Sequence, residues 1–60
     1  MTFKEIEKIL LLDGWILKNV KGSHYQYIHQ NKEGKVTIPK HSGDLNIKTI
    51  NSILKQADIK

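Results

Sequence analysis

The feature that most constrains this chain is a change in apolar period, helical at both ends and alternating in the middle. Phe3, Ile6, Ile9 and Leu10 recur at three- and four-residue intervals, as do Ile47, Ile50, Ile53, Leu54 and Ala57. Such spacing lays one apolar stripe along a helix. Between them, His24 to His29 sets Tyr25, Tyr27 and His29 against His24, Gln26 and Ile28. In a strand, that alternation puts one triplet on each face.

Local signals place the boundaries. Thr2-Phe3-Lys4-Glu5 reads as a capping box, and Asp13-Gly14 ends the segment, so the first helix is predicted over about 2–12. Trp15 to Lys21 is bulky and β-branched enough for a strand. Gly22-Ser23 signals a turn into the strand His24–His29, and Asn31-Lys32-Glu33-Gly34 signals a second turn. Lys35 to Pro39 reads as a third strand, with Val36 and Ile38 on one side and proline at its end. Lys40 to Asp44 is a polar loop. Asn46 then suits an N-cap, with Leu45 and Ile50 as a hydrophobic staple. The predicted class is α+β in the order α-β-β-β-α: one domain over 1–60, a three-stranded antiparallel sheet, both helices on one face and the other face open.

All ten basic residues are lysines. Residues 14–43 hold Lys18, Lys21, Lys32, Lys35 and Lys40 against Glu33 alone, whereas lysines and acids balance in the rest of the chain. The net charge of +4 therefore sits in the middle segment, which also carries all three histidines and both tyrosines. Two readings are open: a surface for a polyanion such as nucleic acid, or lysine-rich solvated strands. No apolar run approaches the ~18 residues of a membrane span, and no basic-then-apolar secretion signal opens the chain. With no cysteine, a soluble cytoplasmic protein in a reducing compartment is expected, without a membrane partner. The histidine spacings match no zinc signature, so neither metal nor cofactor is expected.

Four short blocks resemble the HicA family of toxins: Gly14-Trp15, Lys21-Gly22-Ser23-His24-Tyr25-Gln26-Tyr27, Val36-Thr37-Ile38-Pro39-Lys40-His41 and Ser52-Ile53-Leu54-Lys55-Gln56-Ala57. The resemblance keeps the family's spacings over essentially the full chain, and the element order is that of a double-stranded RNA-binding domain. It implies the toxin of a type II toxin–antitoxin system, an endoribonuclease that cuts messenger RNA and is silenced by a HicB-type antitoxin. By the same resemblance His24 is the catalytic residue. Two positions depart from the pattern: Tyr25 stands where many relatives have a second histidine, and Lys48-Thr49-Ile50 where Gly-Thr-Leu often opens the second helix.

The chemistry of RNA cleavage suits these residues. The 2′-hydroxyl loses a proton as it attacks phosphorus and the 5′-oxygen gains one as it leaves; imidazole, with an ordinary pKa of ~6.5, can serve either step. Lys21 can offset the charge of the transition state, Gly22 allows close backbone approach, and Ser23 can donate its hydroxyl. Lys40, His41 and Lys48 are the further candidate RNA contacts, with Lys18 and Lys35 as other phosphate partners. His41 reads more readily as a solvated loop residue than as a second acid–base group or a phosphate contact, His29 as structural, and Trp15 as core. The alternatives are a non-catalytic RNA-binding module on the same scaffold and a small interaction protein with an acidic partner. The expected partners are RNA and the antitoxin; the chain is expected to be a monomer alone and a hetero-oligomer with an antitoxin that masks His24.

Overall fold

In the computed structural model, which describes residues 1–59, helix α1 (Phe3–Leu12) begins at a complete capping box. The Thr2 hydroxyl accepts from the Glu5 N–H at 3.3 Å, and the Glu5 carboxylate accepts from the Thr2 N–H at 2.9 Å. These bonds satisfy amides that a helix start leaves without partners. Asp13 caps the other end, and Gly14 takes a φ of +103° to turn the chain into β1 (Trp15–Lys21). Strands β2 (His24–His29) and β3 (Val36–Pro39) follow, giving an antiparallel sheet in the order β1-β2-β3. The third strand starts one residue later than its sequence pattern suggested, leaving Lys35 just outside it.

Helix α2 (Ile47–Gln56) is capped by Asn46, whose side chain accepts from the Lys48 N–H. The helix ends with Asp58 in a left-handed conformation, φ +55°. The Ile59 N–H reaches the Leu54 carbonyl and the Asp58 N–H reaches Lys55, the bond pair of a Schellman motif. Its usual apolar contact is available too, since Leu54 and Ile59 both pack against the core.

Both helices cover one face of the sheet. The core joins Phe3, Ile6 and Leu10 of α1 to Trp15, Tyr27, Val36 and Ile38 of the sheet and to Ile50, Ile53 and Ala57 at α2. Leu45 of the predicted staple is buried with Ile50. Tyr27 is fully buried, and its hydroxyl donates to the Glu7 carboxylate on α1. Burial first, and then that bond, push the phenol above its ordinary range.

The sheet contains one irregularity with functional weight. Trp15 pairs with His29 and Leu17 with Tyr27, but Asn19 pairs with Gln26, so Lys18 is an extra residue in β1. A regular strand would put Trp15 and Lys21 on the same face, because they are an even number of residues apart. Trp15 is buried toward the helices. The bulge at Lys18 resets the alternation, so that Lys21 faces the open side instead.

Candidate functional site

The open face of the sheet is built in rows. Lys21 pairs with His24 and His24 with Pro39; Asn19 pairs with Gln26 and Gln26 with Thr37; Ile16 pairs with Ile28. Residues paired across strands share a face. Tyr25 and Tyr27 point the other way, and the expected division of β2 between an inner and an outer triplet is the observed one. None of the three strands contains a carboxylate.

His24 is the first residue of β2 and is exposed. None of the hydrogen bonds among the described residues uses its ring, so both nitrogens are free to meet a ligand. It follows a two-residue turn in which Gly22 has φ +58° and Ser23 does not have positive φ. That is the pattern of a type II′ hairpin, which calls for glycine at its first central position. A Cβ at Gly22 would meet nothing within 4 Å, so the conformation rather than crowding demands glycine there. The same open space lets a ligand approach the backbone.

The remaining candidates separate into two places. The Lys40 N–H donates to the Ser23 carbonyl at 2.7 Å, which ties the loop carrying Lys40 and exposed His41 to the glycine turn. The Lys40 ammonium, however, lies 5.4 Å from the Tyr25 ring centroid and 5.7 Å from that of Phe3, on the helix side of the sheet. Phe3 and Tyr25 meet edge to face at 5.0 Å, so the cation caps an aromatic pair. Lys48 is not beside His24. It sits in the first turn of α2 and lines a groove between that helix and β3, together with Lys35.

Two basic groups of the middle segment have structural partners. Lys32 donates to the Asp13 carboxylate at 2.6 Å and to the Ala57 carbonyl at 2.9 Å, joining the ends of both helices. The ammonium beside it holds the Asp13 carboxyl below its ordinary value. His29 accepts from the Asn31 N–H at Nδ1, 2.9 Å, so its proton is on Nε2, which lies 2.7 Å from the Asp13 carbonyl. Its ring also meets Trp15 edge to face. The Trp15 indole N–H is buried without a hydrogen-bond partner, although it lies near enough to the Asp13 carboxylate to favour the ionised form. Among the described residues, no three His, Cys, Asp or Glu side chains converge as metal ligands do.

Residues 3–59 match the profile of a family described as the HicA toxin of bacterial toxin–antitoxin. The chain belongs to the HicA toxin family. A structural comparison agrees: this HicA-family chain superposes on a chain of a toxin–antitoxin complex from Streptococcus pneumoniae with a TM-score of 0.84, 42% identity and 98% of each chain covered. A search of curated proteins gave no significant match.

The sequence did not mark every residue of this HicA surface. Thr37, Ser52 and Gln56 carry no signal in isolation. The polar stripe Thr49, Ser52, Gln56 at helical spacing was the available clue, and only the packing of α2 against β3 makes it part of a groove.

Proposed function

We propose that this HicA-family toxin is an endoribonuclease that cuts messenger RNA without a metal, with His24 as its catalytic residue. One observation carries the reading: an exposed imidazole stands on the open sheet face beside Lys21, at a glycine turn with room for a phosphate. The reaction requires a proton acceptor and donor near neutral pH, which imidazole supplies in either form. It also requires positive charge near the phosphorane-like transition state. Lys21 is paired directly with His24 across the β1–β2 ladder, and no strand carboxylate opposes it. Ser23 and the backbone around Gly22 supply further donors, with His41 on the adjoining loop.

The likeness to a chain of a toxin–antitoxin complex supports an antitoxin partner, which we propose is of the HicB type. Strand β1 offers that partner a free edge, flanked by exposed Ile16, Leu17 and Val20 and carrying Lys18 and Lys21 but no acid. A second copy pairing antiparallel about a two-fold axis at the strand centre would set Lys18 against Lys18, which is repulsive. An acidic strand from the antitoxin fits better, and paired there it would extend the sheet beside Lys21, at the end of the Lys21–His24 row. A co-complex that left His24 open to solvent would argue for indirect inhibition.

The decisive experiment compares wild type and His24→Ala on single-stranded RNA in the presence of chelator. Because His24 is exposed and unpaired, the variant should melt as wild type does, within about 0.5 kcal/mol, and cut no RNA. An undiminished cleavage rate in the folded variant would remove the mechanism. Intact RNA with a salt-sensitive gel shift for wild type itself would identify a binding module instead.

A further inference from the structure

A groove of about 430 Å³ runs between β3 and α2 and has no part in the site around His24. One wall carries Lys35 and Thr37; the other carries Lys48, Thr49, Ser52 and Gln56, over a floor at buried Ile53. Two ammonium groups, three hydroxyls and an amide line it, with no carboxylate. The first turn of α2 also lacks an acid, which leaves the positive end of that helix unopposed beside the lysines.

The shape argues for a chain rather than an enclosed small molecule. Lys35, Lys48, Ser52 and Gln56 are exposed, so the groove is open along its length. Lys48, Ser52 and Gln56 are four residues apart in turn, a line of roughly 12 Å along the helix. Thr37 connects the groove to the open face, because it pairs with Gln26 in the row next to His24 and Pro39. As a diagonal cross-strand neighbour it lies about 7–8 Å from His24. A ligand passing from His24 to the groove must therefore bend round the edge of β3. A flexible single strand can do so within a few nucleotides, whereas a duplex is stiff at that length.

We propose that the β3–α2 groove binds the sugar–phosphate backbone of single-stranded RNA flanking the His24 site. Lys35 and Lys48 neutralise phosphates. Thr49, Ser52 and Gln56 hydrogen-bond 2′-hydroxyls, the groups that distinguish RNA from DNA. The placement beside a scissile bond rests on the catalytic reading above; the binding itself does not.

The test uses His24→Ala protein, a fluorescent 12-nucleotide RNA, the DNA of the same sequence, and inorganic phosphate and polyglutamate as competitors. Lys35→Gln/Lys48→Gln should bind RNA about tenfold more weakly, with the salt slope reduced by about 1.4, that is, by two phosphate contacts on a single strand. Ser52→Ala/Gln56→Ala should narrow the preference for RNA over DNA, with only Thr49 left to contact 2′-hydroxyls, while leaving the salt slope in place; an unchanged preference would overturn the assignment of these side chains. Unchanged affinity and slope in the lysine variant would overturn the proposal, as would absence of RNA binding at low salt. Competition by polyglutamate as effective as by RNA would point to an acidic protein, and displacement by millimolar phosphate to a free-anion site; either result also overturns it. Cleavage assays on the same variants in the His24 background keep the two claims apart. If wild type cuts RNA and the lysine variant binds normally, only the groove fails; if His24→Ala still cuts while the lysine variant loses binding, only the catalytic assignment fails.

Discussion

Replacing Gly14 with alanine probes the junction on which the sheet's position depends. Gly14 has φ +103°, and a Cβ built there would lie 2.8 Å from Nε2 of His29. The backbone strain of a side chain in that region is worth about 1–3 kcal/mol. The colliding atom belongs to the far end of a side chain, but that ring is held at both nitrogens, by the Asn31 N–H and the Asp13 carbonyl. Moving it forfeits at least one hydrogen bond, about 1 kcal/mol more. The expected loss is therefore about 2–4 kcal/mol, a large share of the roughly 3–9 kcal/mol available to a domain of this length. At about 4–8 °C per kcal/mol for a small domain, the melting temperature should fall by about 8–32 °C. The assay is a double-mutant cycle with His29→Ala, read by urea denaturation. Removing the ring removes the collision but not the φ strain, so the double variant should lose about 1 kcal/mol less than the two single losses together. Strict additivity, or a Gly14→Ala loss below about 1 kcal/mol, would refute the reasoning.

Tyr27→Phe should cost about 1–2 kcal/mol by denaturation, because it deletes a bond to a carboxylate and leaves Glu7 able to regain water; a neutral substitution would mean that the bond contributes nothing. The carboxyls of Asp13 and Glu5 are held below their ordinary values of 3.8 and 4.5, by the Lys32 ammonium and by the Thr2 N–H respectively. Their contribution is complete above those values and is lost as pH falls through the lower folded ones, so stability should decline on acidification from about pH 5 to pH 2. Lys32→Met should make that decline shallower, and an unchanged acid slope would contradict the Lys32–Asp13 assignment. Deleting Lys18 should remove the bulge and leave a regular ladder, with Trp15 and Lys21 then an odd number of residues apart and each on its present face. The expected outcome is a folded domain that keeps the Lys21–His24 row and RNA cleavage; a deletion variant that fails to fold, or whose Lys21 turns inward, would show that Lys18 is not the extra residue of β1.

The sequence by itself determined the elements and their faces. The capping box at Thr2, the glycine turns, the staple of Leu45 and Ile50 and the alternation of β2 are local patterns, and each fixes backbone geometry within a few residues of itself. His24 was legible through the resemblance to HicA toxins; the alternation of β2 set it opposite Tyr25 and Tyr27, and the burial of Tyr27 decides that its side is the open one. Only tertiary structure decided which lysines stand near it. The bulge at Lys18 arises because two distant demands, Trp15 in the core and a two-residue turn after Lys21, differ in register by one residue. Lys32 and Lys40 look like free charges in the sequence, yet one joins two helix ends and the other caps two aromatic rings. Lys35 and Lys48, well apart along the chain, become walls of one groove when α2 docks on β3. Periodicity specifies which way a side chain points from its own element. What it meets there depends on the packing of elements remote in sequence.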